Sequence, residues 1–576
     1  MDEKELPKST GFILIGLSSI ILLLPLSLMQ VTSGHEAQEG LRLRALLEGG
    51  QWLFPEGLKK PPLFYWLGGL IAQLRGGVID VLSLRLPSGL LATFGVLAVF
   101  WLGRSAITRT GSFLAACILL TSPLYVWQAH SGRIDMTLCF FVTLGLLAFF
   151  WGYGQEQQGD ERRANLSSLW LFSLYSSLAL AVLSKGPVGA VLILLPIAVF
   201  LCWRREFRWF RPLLRPVPLL VCSLVILGWY GGALLEDGSD IWQTQILTEN
   251  LARFAGNIDT TSPLYYVEPV LSMFAPWSLV LPFALWQAVK EREDNPGPFF
   301  LAVWWITVVL FFQFAAYKRI RYMLPAQPAA ALLVGWWLTR YLPERLRTWK
   351  ERRWWKPVVV CASLLHGLLF LAGVGVIIGI MLHGTDAIAW LLPLLKTKVQ
   401  AQVLAYAQWL ASYAWPSLIV WLCMAGAGWI LCRSVLHGEL RPALLALLVL
   451  LGMSYAAVYP SWAVVKSWTG SPQDFAHTII ARTGLDKTGQ TQALSFIGPS
   501  AIRGFPVMFY LNQQVAVVAV EWKPGAQQPS LACGYYLVAK ERIKELAPGT
   551  GKAWVEILFD TSTSHWPFVV FRYAAA

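Results

Sequence analysis

The most prominent pattern in the chain is a series of long apolar stretches separated by short polar or charged segments. A helix of about 20 apolar residues is long enough to cross the hydrocarbon core of a bilayer. The pattern therefore predicts a polytopic α-helical membrane protein with about thirteen spans. The predicted spans are 11–31, 84–103, 111–129, 136–154, 166–184, 186–203, 216–235, 268–289, 298–316, 322–340, 357–382, 407–432 and 441–463.

The pattern changes after residue 465, where short strand-like runs alternate with helical ones. We predict strands at 492–497, 515–520, 535–539, 554–559 and 567–573, and helices at 471–483, 505–512 and 540–546. This alternation is typical of a small α/β domain. The predicted organisation is a transmembrane domain over 1–465 followed by an α/β domain over 466–576.

Composition excludes several classes of protein. Only 14% of the 576 residues are charged and 56% are hydrophobic, yet the net charge is +13. A soluble domain carries about 25% charged residues, so a soluble enzyme and an ordinary nucleic-acid binder are excluded. Dense basic clusters at 204–215 and 345–356 predict cytoplasmic loops. With the N-terminus in the cytoplasm and thirteen spans, the C-terminal domain is predicted to be periplasmic.

The first outer loop, about 32–83, contains two candidate interfacial helices. Residues 35–49 have helical periodicity with a basic side, and residues 61–74 are apolar but too short to cross the membrane. A long loop that dips into the membrane surface is usually functional.

Two acids in the outer loops are candidates for chemistry. Glu36 directly follows the first predicted span, and Asp135 begins the fourth apolar run. An ionisable group at the bilayer boundary is costly and is by default a functional candidate. If both face one cavity, they either bind a divalent metal together, or one deprotonates an acceptor that the other orients. For Asp135, a simple salt bridge to Arg133 is the alternative.

Several basic residues lie at the predicted outer ends of spans, against the positive-inside rule. They are Lys60, Lys185, Arg253, Lys318, Arg319 and Arg321. A phosphate group held at the depth of the lipid headgroups would account for such a set. Contacts with ordinary lipid headgroups are the alternative for each one.

The order of the motifs resembles that of the GT-C glycosyltransferases, in particular the bacterial branch related to protein O-mannosyltransferases and the aminoarabinose lipid A transferase. The resemblance covers 1–345 motif by motif and the remainder only by layout. The matching segments are 35–40, 50–55, 60–67, 133–136, 184–189, 249–254, 274–278 and 318–325, which read HEAQEG, GQWLFP, KPPLFYWL, RIDM, SKGPVG, ENLARF, FAPWS and KRIRYMLP.

The resemblance implies sugar transfer from a polyprenyl-phosphate donor, by inversion, at the outer face of a bacterial inner membrane. The acceptor would be lipid A, a protein or a cell-surface glycan. It also implies that the donor phosphate is held by Lys60, Arg253 and Tyr322, with Lys318 or Lys185. No cofactor is implied with certainty, although a divalent metal is possible.

One position departs from the family pattern. The family usually has Asp where this chain has His35, so either Glu36 takes over the role of that acid or His35 itself acts as the base. Glu36 and Asp135 remain the candidates to deprotonate or orient the acceptor. The departure also leaves open a non-catalytic assembly protein with the same fold. A lipid transporter or flippase is the alternative outside the enzyme class.

Overall fold

The fold is taken from a computed structural model that describes most of the membrane-embedded part of the chain and the regular elements of the C-terminal part. The described residues are 10–28, 30–54, 60–157, 166–237, 243, 245, 247, 262, 264–395, 397–439, 442–454, 471–483, 494–498, 505–511, 517–521, 534–539, 556–560 and 568–573. Arg253, the motif 249–254 and the predicted helix 540–546 lie outside them.

The N-terminal half consists of helices that follow the apolar runs. The first helical stretch is α1 (Thr10–Ser18), continued by irregular turns to Ser27. The next helices are α2 (Gly34–Gly49), α3 (Leu63–Leu74), α4 (Val81–Trp101), α5 (Arg109–Leu120), α6 (Pro123–Ala129), α7 (Ile134–Gln157), α8 (Leu166–Lys185), α9 (Val188–Trp203), α10 (Phe210–Leu213) and α11 (Pro216–Asp237).

Further helices, most of them apolar, follow before the C-terminal part. They are α12 (Val267–Ser272), α13 (Leu281–Lys290), α14 (Pro296–Phe314), α15 (Gln327–Arg340), α16 (Leu342–Lys350), α17 (Trp355–His383), α18 (Thr397–Ser412), α19 (Ala414–His437) and α20 (Pro442–Ser454). A short 3₁₀ segment, Ile320–Ala326, precedes α15.

The chain is a multi-pass membrane protein. Within the described residues, seven helical stretches are long and apolar enough to cross a bilayer, and α5 with α6, bent by 65°, would make an eighth. Shorter apolar helices account for several of the other predicted spans. The total of thirteen therefore stays a prediction.

Several predicted spans were wrong as continuous helices. Segment 111–129 contains the bend between α5 and α6, and segment 407–432 contains the end of α18 at Ser412 and the start of α19 at Ala414. Segment 268–289 is divided into α12, a short 3₁₀ turn at Trp277–Leu279, and α13. The division follows the prolines Pro276 and Pro282, because proline lacks the amide hydrogen that a helix interior needs.

The two helices predicted for the first loop are present, and their place at the membrane interface stays a prediction. Helix α2 ends at Gly50, whose φ of 68° is the left-handed conformation that glycine adopts without strain. Helix α3 begins directly after Pro61 and Pro62. Both pack on the outer part of α4, and Leu43 of α2 contacts the α3 residue Gly68.

The C-terminal part contains a five-stranded mixed sheet. Its strands are β1 (Leu494–Gly498), β2 (Val517–Glu521), β3 (Gly534–Ala539), β4 (Glu556–Asp560) and β5 (Phe568–Tyr573). The order is β2-β1-β3-β5-β4, with β1 parallel to β2 and β3, and β5 antiparallel to β3 and β4. The helices α21 (Pro472–Thr483) and α22 (Phe505–Leu511) accompany it. All five strands start and end within two residues of the predicted bounds.

Candidate active site

Glu36 is held in the first turn of α2 by a fully formed set of hydrogen bonds. Arg85 of α4 donates from Nε to Oε1 at 2.6 Å and from Nη2 to Oε2 at 3.0 Å, and the Gly132 amide donates to Oε1 at 2.8 Å. Only 5% of Glu36 is exposed. Burial raises the pKa of Glu36, but the charge and hydrogen bonds of Arg85 outweigh this and hold the pKa below its usual value. Glu36 is therefore an anion that is already bound.

Asp135 is buried at the start of α7 among three basic side chains. Its carboxylate lies 2.6 Å from Lys185 Nζ, 3.3 Å from Arg321 Nε and 3.9 Å from Arg133 Nε. The expected Arg133 contact is present, but it is the longest of the three. One carboxylate thus faces three cations, which leaves a net positive charge around it.

The position of Lys185 follows from the way α8 ends. Gly186 has a φ of 82°, a conformation that glycine adopts readily and that ends a helix. The Lys185 ammonium therefore sits at the helix C-terminus, where a cation is favoured by the helix dipole. It also lies 4.6 Å from the centre of the Tyr322 ring, which stacks on Phe312. Lys185, Asp135 and Tyr322 thus belong to one cluster.

Lys318 differs from the other basic residues. Only 9% of Lys318 is exposed, and among the described residues it forms no salt bridge. The next residue, Arg319, donates from Nε to the Tyr317 hydroxyl at 2.8 Å, and Arg321, three residues after Lys318, pairs with Asp135. A buried ammonium is costly without a counter-ion, so Lys318 is the base best suited to receive an anionic ligand.

His35 precedes Glu36 and lies within reach of the same cations. Burial and the charges of Arg133, Arg321 and Arg319 lower the pKa of His35 from 6.5 to about 4. The imidazole is therefore neutral at physiological pH. A neutral imidazole with so low a pKa is a weak base, and it adds no negative charge where the family usually has Asp.

A second acidic residue of α2, Glu39, links α2 to α3. The hydroxyl of Tyr65, which is fully buried in α3, donates to Glu39 Oε2, and Arg42 Nη1 donates to the same atom at 3.0 Å. Burial and the nearby Glu39 raise the pKa of Tyr65 well above its usual value, so the phenol stays protonated and donates. Glu39 is therefore engaged in holding α3 against α2.

Sequence reasoning missed two residues of this arrangement: Arg85, which binds Glu36, and Tyr65, which binds Glu39. Arg85 had a detectable signal, because an arginine at the start of an apolar run must find a partner. Tyr65 is part of the KPPLFYWL segment, but nothing in the sequence indicates its partner. Lys60 lies just before α3, and its role in binding phosphate stays a prediction.

A divalent metal does not fit the described residues. None of their His, Cys, Asp and Glu side chains form a group of three or more that could hold an ion. The oxygens of Glu36, Asp135 and Glu39 already bind Arg, Lys or Tyr donors. No step is therefore assigned to a metal.

These features define a class. Apolar helices bring acids and bases from separate parts of the chain together, two short helices lie between the first two long apolar stretches, and an α/β unit follows. This is the architecture of the GT-C fold.

Comparisons with known proteins agree with this class. Residues 59–229 match the family model "Dolichyl-phosphate-mannose-protein mannosyltransferase". The solved structure of ArnT from Cupriavidus metallidurans bound to undecaprenyl phosphate aligns with 99% of this chain and 99% of its own, with a TM-score of 0.73 and 19% identity. The chain therefore has the GT-C fold.

Curated relatives point to the same branch. The undecaprenyl phosphate-α-4-amino-4-deoxy-L-arabinose arabinosyl transferase of Erwinia tasmaniensis is 27% identical over 55% of this chain and 57% of its own length. The enzyme of the same name from Pseudomonas paraeruginosa is 29% identical over 57% and 59%. The aligned part thus spans less than two thirds of these relatives. The chain resembles GT-C glycosyltransferases of this branch, as its motifs predicted.

Proposed function

We propose that the protein is an inverting membrane glycosyltransferase that takes a sugar from a polyprenyl-phosphate donor at the periplasmic face of a bacterial inner membrane. The observation that carries the proposal is the cationic cluster around Asp135. Lys185, Arg321 and Arg133 share that one carboxylate. The buried Lys318, three residues before Arg321 in sequence, forms no ion pair among the described residues. The relatives named as undecaprenyl phosphate arabinosyl transferases support the donor class.

The donor phosphate would be held by lysines and arginines from separate elements. Lys318 and Lys185 would supply positive charge, Tyr322 would present its ring and hydroxyl, and Lys60 and Arg253 would complete the set. As the bond between the sugar and the phosphate breaks, negative charge grows on the leaving phosphate. Cations that are already in place stabilise that charge without reorganisation, which lowers the barrier.

The acceptor is best accounted for as a group that is already ionised, such as a phosphate of lipid A. A hydroxyl acceptor needs a base, but Glu36 is bound by Arg85, Asp135 is surrounded by cations, and His35 has a low pKa. A phosphate needs no base, and the excess positive charge beside His35 would attract it. Glu36 and Asp135 then act by holding arginine and lysine side chains in place.

The experiment is a transfer assay with the purified protein in nanodiscs. Radiolabelled sugar on undecaprenyl phosphate is the donor, and lipid A, dephosphorylated lipid A and a membrane-protein fraction are offered as acceptors. If label appears on intact lipid A and on neither other acceptor, the result supports both the reaction and a phosphate acceptor. Label on protein would retain the reaction but overturn the acceptor. The absence of transfer, with lipid movement across vesicles, would favour a flippase.

The donor site has its own test. Lys318→Ala should weaken binding of undecaprenyl phosphate by about ten-fold, because a charge-assisted hydrogen bond is worth about 1.5–3 kcal/mol. Lys290→Ala is the matched control, because Lys290 lies at the end of α13 over the Trp286 ring, away from this cluster. Equal binding by both variants would remove Lys318 from the donor site.

A further inference from the structure

The segment between α1 and α2 is fixed on one side by Arg85. Besides binding Glu36, Arg85 donates from Nη1 to the Leu26 carbonyl at 3.1 Å and from Nη2 to the Gln30 carbonyl at 3.2 Å. One guanidinium thus joins the end of the first helical stretch to the first turn of α2. Because Arg85 binds both Gln30 and Glu36, it constrains the positions of the residues at the start of α2, including His35 and Glu36.

The same segment is fixed on its other side by the C-terminal part of the chain. The buried Val31 amide donates to the Tyr510 hydroxyl at 2.8 Å, and Ser471 Oγ donates to Gln30 Oε1 at 2.9 Å. Burial raises the pKa of Tyr510 to about 12, so the side chain remains a neutral phenol. Arg85 binds the carbonyl of Gln30, the residue before Val31, so Arg85 and Tyr510 hold neighbouring residues of this segment.

Helix α22 also packs directly on α2. A Cβ added at Gly40 would come within 2.6 Å of Phe509 Cε2, so the Phe509 ring lies flush against the α2 backbone. Arg44 also lies over the ring, with its Cζ 5.5 Å from the ring centre, and donates from Nη1 to the Phe509 carbonyl at 3.3 Å. Phe509 is fully buried in a core that α2 and α22 share.

We propose that Tyr510 and Phe509 are positioning residues: α22 sets the height and rotation of α2 and thereby places His35 and Glu36 at the site. Neither residue touches the cationic cluster in the described structure. Tyr510 fixes the segment that leads into α2, and Phe509 fixes the face of α2 one turn beyond Glu36. The catalytic meaning of this inference rests on the proposed function.

The first test removes one oxygen atom. In Tyr510→Phe the ring stays and the Val31 amide loses its acceptor, so the segment before His35 must shift. A misplacement of about 1 Å can cost up to about a hundred-fold in rate, so we expect kcat to fall at least ten-fold while the affinity for undecaprenyl phosphate is unchanged.

The matched control is Tyr175→Phe. The Tyr175 hydroxyl also donates to a backbone group, the Leu213 carbonyl, but it lies about 15 Å along α8 from Lys185 at 1.5 Å per residue. This variant should keep the wild-type kcat. If Tyr510→Phe keeps it too, or if both variants lose it equally, the positioning role of Tyr510 is overturned.

The second test uses the contact at Gly40. Gly40→Ala should lower kcat because its methyl group displaces the Phe509 ring. Gly49→Ala, in the same helix with open space around the added methyl group, should not. Shortening the ring in Gly40→Ala/Phe509→Leu should restore part of the lost kcat. Failure of that rescue, with a folded protein, would show that α22 does not set the position of α2.

A third measurement does not depend on activity. Hydrogen exchange at the Val31 amide should speed up in Tyr510→Phe and stay unchanged in Tyr175→Phe. If the wild-type protein transfers no sugar but Val31 exchange responds in this way, the proposed function fails and the structural link survives. If the wild-type protein transfers sugar and neither kcat nor exchange responds to Tyr510→Phe, the inference fails and the proposed function survives.

Discussion

Glu36 and Arg85, 49 residues apart in sequence, form a buried bidentate ion pair that joins helix α2 to the membrane helix α4. Side-chain exposure is 6% for Glu36 and 3% for Arg85. Glu36, the first candidate acid, therefore has a structural role, because it holds α2 against α4.

Removing the cation of this pair should destabilise the protein strongly. Arg85→Met leaves the Glu36 carboxylate buried without its main partner, a situation that typically costs about 3–5 kcal/mol. Arg75→Met is the control, because the pair between Arg75 and Asp80 is about one third exposed, and such surface pairs contribute about 0–1 kcal/mol. Denaturant unfolding in detergent measures both. Equal losses of unfolding free energy in Arg85→Met and Arg75→Met would contradict the expectation that the buried pair contributes more than the exposed one.

Neutralising Asp135 should make the protein more dependent on an anionic ligand. In Asp135→Asn, Lys185, Arg321 and Arg133 lose their shared counter-ion and repel one another. The unliganded protein should therefore melt at a lower temperature. Undecaprenyl phosphate should raise the melting temperature more in the variant than in the wild type, because the phosphate replaces the missing charge. Glu268→Gln, which alters an exposed hydrogen bond to Ser272, is the control.

The low pKa of His35 predicts how stability depends on pH. Between pH 6.5 and about 4, the unfolded chain binds a proton at this imidazole and the folded chain does not. Stability should therefore fall as the pH is lowered through this window and be fully present above it. When the pH is lowered from 7 to 5, the melting temperature should fall less steeply for His35→Asn than for the wild type. A steeper fall in the variant would contradict the assigned charge state.

A glycine in the membrane core offers a test of packing. A Cβ at Gly335 of α15 would lie 2.5 Å from the Gly111 carbonyl oxygen of α5, so the two helices meet backbone to backbone. Gly335→Ala should cost about 1–3 kcal/mol of stability through overpacking. Gly154→Ala, with nothing within 4 Å of the added methyl group, should be tolerated. Similar unfolding midpoints for Gly335→Ala and Gly154→Ala would show that α5 and α15 can move apart to accommodate the methyl group at little cost.

Periodicity was sufficient for much of the fold. The strands of the C-terminal sheet and the helices α2 and α3 could be predicted because their apolar spacing and turn residues are local signals. The break within 268–289 was missed because apolar content was weighed above the prolines. The order of strands in the sheet could not be predicted, since it depends on contacts between distant segments.

The site was predictable in its residue types but not in its pairings. Glu36, Asp135, Lys185 and Lys318 became candidates because they are charges placed at the ends of apolar runs, whereas His35 and Tyr322 became candidates through the family resemblance. The sequence could not show that Arg85 binds Glu36 or that Lys185 binds Asp135, because each pair is brought together only when separate helices pack. These pairings change the acids from candidate bases into bound anions.

The contact between Val31 and Tyr510 joins positions 479 residues apart. Synthesis proceeds at about 5–20 residues per second, so Tyr510 emerges roughly 25–95 s after Val31. Throughout that interval α2 lacks the surface that holds it, while the membrane helices are already being inserted. The nascent chain therefore cannot form this contact until α22 has been synthesised, so α2 takes its final position after the membrane helices that precede α22 in sequence.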